Sequence, residues 1–334
     1  MKRNLLFVSG GIGRERDVAL ASAKNVRKYV DQNQYDVISV VILPTGVWTL
    51  EDSTAICHLI NENGKGVLLV NNGHLSQKIV VDLIFPVLHG DAEDGVLLGL
   101  FQSMKLPYVG TKKLGSVLCF DKLTAKKLAI QAGIPIVPFI DHFLNPVDYH
   151  AACKELKTSK LCVKPSNSGS TFGVSVANDE DSFKKAIDFA REFDEYIVIE
   201  KYIENVREVF CAILADGESL ITADPGLLNA GAELFDFDLK YSSGSSADVS
   251  FDFSAFPAGF ESHVRELSKK IFRILRCDNY SRIDYLVDIW GNLYFSEVNT
   301  IPGMGDRSLF FKMFKHSGYE PSNLVAKILS NEKF

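Results

Sequence analysis

The chain has 334 residues, 46% hydrophobic and 23% charged, enough for two or three domains with ample core. Its net charge of −6 argues against nucleic acid as a partner, because an acidic chain gains nothing from the counterion release that drives such binding. No apolar run approaches the roughly 20 residues that span a bilayer, and the apolar stretch 5–8 is too short for a signal peptide. The six cysteines show no CxxC pair or metal-ligand spacing, so the expected setting is a reducing cytoplasm.

Strand-like and helix-like segments alternate at the start, which predicts an α/β unit with a parallel sheet. Residues 5–8 read as a strand, 17–30 as a helix, 37–43 and 81–87 as strands, and 95–104 as a helix, with 106–110 closing the unit. Residues 51–78, rich in Asn, Gly and Ser, read as an irregular excursion. Two helices follow. The second starts at Asp121, whose side chain is expected to cap the amides of Leu123 and Thr124, and it ends near Gly133 ahead of Pro135. Short strands at 161–164, 174–177 and 196–200 come next, with a helix at 179–193. Strands at 208–214, 280–287 and 293–298 and helices at 262–275 and 309–315 complete the chain. Residues 224–256 carry much Gly, Ser and Asp and little periodicity, the pattern of an active-site lid or of a disordered stretch.

Arg282-Ile283-Asp284 and Glu297-Val298-Asn299 are separated by the turn-like Ile289-Trp290-Gly291-Asn292. Two antiparallel strands would set Asp284 near Glu297, with Glu297 and Asn299 on one face. Three oxygen donors there suit Mg²⁺, and Arg282 on the same face would meet a developing anion; the alternative is an exposed polar strand face. Lys164 ends a strand and opens the Gly/Ser loop 166–173, which suits phosphate oxygens or is a plain hairpin turn. It is not a Walker A loop, which ends in Gly-Lys-Ser/Thr. Gly10-Gly11-Ile12-Gly13 lacks the third glycine of a dinucleotide fingerprint, with Arg16 in its place. Glu15 beside it suits a cationic amine or the helix dipole. His89 follows an apolar strand at the same predicted sheet edge, as a site residue or a structural histidine. Glu200-Lys201-Tyr202-Ile203, trailed by Glu208, reads as a hinge for a base with a carboxylate for ribose hydroxyls, or as a solvated connection.

From about Leu5 to Leu329, these motifs in this order resemble the D-alanine–D-alanine ligase family of the ATP-grasp superfamily. The resemblance implies an α/β fold (α+β in parts) of three domains, 1–110, 111–203 and 204–334, with ATP between the last two. It implies ATP as co-substrate, two Mg²⁺ or Mn²⁺ ions, D-alanine as substrate and a homodimer. Glu15 resembles the residue that holds the first D-alanine's amine, linked to Ser170 and Tyr241, and His89 the histidine beside it. Lys122 and Lys164 resemble the ATP-phosphate lysines, with Ser170 in the phosphate loop and Lys240 a lid lysine. Glu200, Lys201 and Ile203 resemble the adenine hinge, and Glu208 the ribose carboxylate. Asp284, Glu297 and Asn299 resemble the metal ligands. Arg282 and the Gly303 amide resemble the oxyanion donors, and Ser308 and Leu309 the pair that meets the second substrate's carboxylate.

Several positions depart from the family pattern. Gly13 replaces a serine, the segment His89–Gly95 is one residue short of the usual HGxxGEDG, and Gly99 stands where a Gln-Gly pair is usual. Met304-Gly305-Asp306-Arg307 differs from the common Met-Thr-Ser-His. The shortening is expected to displace Glu93 from a lid lysine. A D-Ala–D-Ser or other D-Ala–D-X ligase is therefore a second expectation; Tyr241 argues against a D-lactate enzyme. A non-catalytic nucleotide-binding module is a third, opposed by the intact Lys122, Lys164, Arg282 and Asp284.

Overall fold

The computed structural model describes residues 2–73, 76–228, 249–305 and 307–331. Lys240 and Tyr241, and with them most of the expected lid, lie outside the described residues.

Three sheets organise the chain. The first runs β6-β5-β4-β3-β2-β1-β7, with β1 (Arg3–Gly10) parallel to β2 (Tyr35–Ile42) and to β7 (Leu83–Leu88), and β3 (Trp48–Leu50) antiparallel to β2. The expected parallel core is there, and the alternation of β1 explains its depth. Leu5 and Phe7 enter one core, Leu6 and Val8 another, so the strand is buried on both faces. The excursion at 51–78 is not irregular. It holds β4 (Ile56–Glu62) and β5 (Lys65–Asn71), paired antiparallel, and leads into β6 (Ser76–Val81), which extends the sheet from β5. Ile56 and Ile60 on the outward face of β4, and a run of exposed residues at the start of β6, disguise their period of two.

The second sheet, β10-β9-β11-β8, contains β8 (Phe139–Asp141), β9 (Leu161–Pro165), β10 (Ser175–Ala177) and β11 (Ile197–Lys201). The third is built on β12 (Arg207–Asp216), β15 (Tyr280–Val287) and β16 (Leu293–Asn299). Its β12 also pairs with β14 (Gly226–Leu228), and Leu227 exchanges two 2.8 Å backbone hydrogen bonds with Ser250 across the base of the expected lid. Phe210, Ala212 and Leu214 of β12 share one core with Leu5, Phe7 and Phe85 through Phe310 and Phe314 of helix α8 (Leu309–His316). That common core ties one face of the first sheet to the third. Asp121 caps α4 (Lys122–Gln131) by accepting from Thr124 N at 2.6 Å. The expected second cap fails, because Leu123 N donates to Ser166 Oγ at 3.0 Å. Among the described residues no helix is long and apolar enough to cross a membrane, and the six cysteines are free.

Candidate active site

A cleft of about 540 Å³ opens where the three sheets converge. It is lined by every described residue of the expected site: Glu15, His89, Lys122, Lys164, Ser170, Glu200, Lys201, Ile203, Glu208, Arg282, Asp284, Glu297, Asn299, Gly303, Ser308 and Leu309.

Strands β15 and β16 pair as the turn signal between them predicts, with Asp284 opposite Glu297, Arg282 opposite Asn299, and a bulge after Asp284. Arg282 grips Asp284 with two hydrogen bonds of 2.7 Å, and Asn299 Nδ2 donates to Asp284 Oδ2 at 3.1 Å. Burial pushes the Asp284 carboxyl up to about 6, Arg282 opposing and Glu297 and Glu208 adding to the rise. At 8% exposure Asp284 is no open polar strand face. Two carboxylates and an amide on neighbouring positions of one hairpin are hard oxygen donors, the type that fits a divalent cation. No group of three His, Cys, Asp or Glu side chains among the described residues fits a metal, so the set depends on the Asn299 amide oxygen as a donor beside Asp284 and Glu297.

The loop after Lys164 does join two antiparallel strands, β9 and β10, but it is more than a hairpin turn. Ser170 (φ 48°) and Thr171 (φ 67°) are consecutive left-handed residues, a strain of about 1–2 kcal/mol each that persists only when the surroundings enforce it. Asn167 supplies part of that enforcement. Its backbone N donates to Asp194 at 2.8 Å, and its side-chain amide reaches Asp121 and Asp194. Lys122 Nζ donates to the Ser168 carbonyl and stands 4.0 Å from Glu297.

Gly10 ends β1 opposite Leu88 of β7, so the loops carrying Glu15 and His89 leave the same sheet edge. Glu15 precedes helix α1 (Arg16–Arg27) and is buried between Gly90 and Gly169. A Cβ on either glycine would stand 3.1 Å from Glu15 Oε1, and Gly90 also needs its φ of +67°. Burial pushes the Glu15 carboxyl up, Glu93 adds to this, and a hydrogen bond from Ser170 pulls it back. The link between Glu15 and Ser170 implied by the resemblance is present; its Tyr241 partner lies outside the described residues. His89 lines the cleft with both nitrogens engaged: Nδ1 is 3.3 Å from Glu93 Oε1, and Nε2 is 3.1 Å from Ser22 Oγ. Glu93 also accepts from Gly90 N at 3.3 Å, so the shortened loop gives it partners inside the loop itself.

Glu200 is not a solvated connector. It is buried between two ammonium groups, Lys126 Nζ at 2.6 Å and Lys164 Nζ at 2.7 Å. Burial pushes its carboxyl up, yet the two lysines together outweigh that and hold it at about 2. Its stabilising contribution is therefore full above the ordinary glutamate range and is lost as pH falls from there toward 2. Lys126 was missed in the sequence, although it lies four residues after Lys122 and so on the same helix face. Lys126→Met is expected to lower stability in urea unfolding at pH 7 by about 1–3 kcal/mol, less than a fully orphaned buried charge because Lys164 remains. The difference from wild type should shrink below pH 4 as Glu200 protonates. Beyond Glu200, the amides of Lys201 and Tyr202 pair with the carbonyls of Pro138 and Lys160, each at 3.0 Å, fixing the strand that presents Ile203.

Ser308 is the N-cap of α8, its hydroxyl accepting from Phe311 N at 3.5 Å. The Leu309 amide lies in that helix's first turn, where a carboxylate is favoured. The cleft thus offers a carboxylate for an amine, helix amides for a carboxylate, lysines for phosphates and oxygen donors for cations.

A family profile described as D-ala D-ala ligase N-terminus matches residues 4–111, and one described as D-ala D-ala ligase C-terminus matches residues 128–330. The D-alanine–D-alanine ligase of Caldicellulosiruptor bescii is 33% identical, over 98% of this chain and 94% of its own. That of Borrelia turicatae is 32% identical, over 99% and 94%. Among solved structures, VanG D-Ala:D-Ser ligase from Enterococcus faecalis is similar with a TM-score of 0.83 and 29% identity over 99% of both chains. D-alanyl-alanine synthetase A from Vibrio cholerae matches the fold with a TM-score of 0.85 at 24% identity, over 99% of this chain and 98% of that one. With both profiles matched and relatives above 30% identity over almost its whole length, the chain belongs to the D-alanine–D-alanine ligase family of ATP-dependent, ATP-grasp ligases.

Proposed function

We propose that this chain joins two D-alanines into D-alanyl-D-alanine through an acyl phosphate, supplying the dipeptide for peptidoglycan precursors in the cytoplasm. The observation that carries this reading is that one cleft is lined together by Glu15, Lys122, Lys164, Arg282, Asp284, Glu297, Asn299 and Gly303. The proposed units are 1–110, 111–203 and 204–334, a division supported by each holding one of the three sheets. Product identification by mass spectrometry, with ATP, Mg²⁺ and a panel of D-amino and D-hydroxy acids, tests the reading; absence of any dipeptide would overturn it.

A carboxylate resists amine attack because it is anionic and lacks a leaving group. Glu15 binds the first D-alanine's ammonium, with Ser170 fixing the carboxylate's direction. Lys122 and Lys164 hold ATP phosphates, while Glu200, Lys201 and Ile203 receive the adenine and Glu208 the ribose. Asp284, Glu297 and Asn299 would hold two Mg²⁺ or Mn²⁺ ions, which supply charge neutralisation of the triphosphate. The D-alanine carboxylate oxygen attacks the γ-phosphorus and ADP departs. The amine of the second D-alanine, its carboxylate held at Ser308 and Leu309, then adds to the acyl carbon. Arg282 and the Gly303 amide stabilise the tetrahedral oxyanion until phosphate leaves. Lys240 and Tyr241 belong to the proposed lid that excludes water.

A D-Ala–D-X ligase is the second reading. It is favoured by the 29% identity to a D-Ala:D-Ser ligase and by the unusual segment after Gly303. The short His89–Gly95 loop bears on the same question, because Glu93 turns inward to His89 and Gly90. With Glu93 so engaged, a looser lid should raise the KM for the second amino acid and release phosphate in excess of dipeptide. Inserting glycine after Ala92 is expected to bring the ratio of phosphate to dipeptide toward one. A ratio already near one in the natural enzyme, and worse after insertion, would show that Glu93's new partners compensate. The family resemblance also implies a homodimer, which light scattering at micromolar concentration tests.

A further inference from the structure

We propose that Ser22 and Asn25 are positioning residues for the Gly303 oxyanion donor, and that Ser22 couples this donor to the His89 loop. The inference rests on the oxyanion reading of Gly303 given above.

Both residues lie inside α1, where serine and asparagine are poor helix formers, and both are nearly inaccessible, at 1% and 3% exposure. Three apart, they share one helix face. That face meets Met304, itself wholly buried, the residue directly after Gly303. Met304 N donates to Ser22 Oγ at 3.2 Å, and Asn25 Nδ2 donates to the Met304 carbonyl at 2.8 Å. Asn25 is oriented in turn by Lys28, whose Nζ donates to its Oδ1 at 3.3 Å. Each backbone polar group of Met304 is therefore held by a side chain from 282 or 279 positions earlier in the chain.

The placement matters because glycine has little directional preference of its own. Pro302 restricts the backbone before Gly303, and the Gly303–Met304 peptide plane contains the amide that Ser22 accepts. Fixing that plane leaves the Gly303 amide one residue's φ and ψ from an anchored frame. A donor must be aimed at the oxyanion before it forms for its interaction to count fully.

Ser22 also faces the first-substrate loop. Its oxygen accepts from Met304 N, so its own proton is available to His89 Nε2 at 3.1 Å. Given to Nε2, that proton selects the Nδ1–H tautomer of His89, which then donates to Glu93 Oε1 at 3.3 Å. A continuous chain of hydrogen bonds then runs from Glu93 through His89 and Ser22 to the oxyanion loop. Nothing in that chain touches the phosphate lysines.

The test separates the two half-reactions. Positional isotope exchange within ATP, dependent on D-alanine, reports acyl phosphate formation; dipeptide appearance reports amine attack. Ser22→Ala is expected to lower dipeptide formation about tenfold, part of the 10²–10³ that a whole oxyanion donor supplies, with isotope exchange and ATP affinity retained. Asn25→Asp, close in size but without the donor to the Met304 carbonyl, should act the same way, and serves if Ser22→Ala fails to fold. Long-range proton–nitrogen spectra should show His89 protonated at Nδ1; protonation at Nε2 overturns the coupling to Glu93. Equal loss of exchange and ligation in both variants, or no loss of either, overturns the positioning role. Arg282→Ala run in parallel keeps the two readings apart. If it slows ligation while Ser22→Ala and Asn25→Asp do not, the clamp is wrong and the oxyanion site stands; if Arg282→Ala also ligates normally, both fall.

Discussion

Replacing Glu297 by glutamine is expected to abolish ATP turnover while leaving the fold and melting behaviour near wild type. The side chain is partly exposed in the cleft, opposite Asp284 and 4.0 Å from Lys122 Nζ, so nothing in the core depends on it. Its value is charge and geometry. A carboxylate presents two anionic oxygens to two cations, whereas an amide presents one neutral oxygen and a donor that repels a cation. Asp284 is already one of the proposed donors, so it cannot also make up the charge that Glu297 would lose. Phosphate release at saturating Mg²⁺, with circular dichroism as the fold control, is the measurement. Release near the wild-type rate would remove Glu297 from the cation site.

Arg282→Ala is expected to lower kcat by roughly two to three decades, the loss seen when one oxyanion donor is removed. Mg²⁺–nucleotide affinity, followed by calorimetry, should move little. The guanidinium lies bidentate on Asp284, so its loss leaves that carboxylate more available to a cation, not less. The same geometry predicts that Arg282→Lys will be a poor rescue, because an ammonium cannot reproduce the two parallel 2.7 Å bonds that aim the group. A large loss of nucleotide affinity with kcat preserved would move Arg282 from the acyl side of the cleft to the phosphate side.

What the chain's order of residues determined by itself was mostly local. The continuous apolar runs of β1 and β12, the turn before Asn292, and the paired carboxylates on β15 and β16 were legible because strand composition and turn chemistry act over a few residues. The shared edge of Glu15 and His89 was legible because parallel strands present their following loops together. The strands within 51–78 were not, since the Asn-Gly turns at 63–64 and 72–73 that join them give the whole stretch the composition of a loop.

Tertiary structure alone decided which surfaces meet. Leu123's amide turned from Asp121 to Ser166, and Glu200 drew in Lys126 as well as Lys164. Glu93 folded onto His89 and Gly90, and Ser22 and Asn25 reached Met304. All of these are partnerships of buried polar groups. Burial makes an unmet donor, acceptor or charge costly, so each takes the partner that packing brings within reach. For Ser22, Asn25 and Met304 that packing is the core shared by β1, β7, β12 and α8, for Glu200 and its lysines it is the cores on either side of β9, β11 and α4, and no short-range pattern in the sequence encodes either.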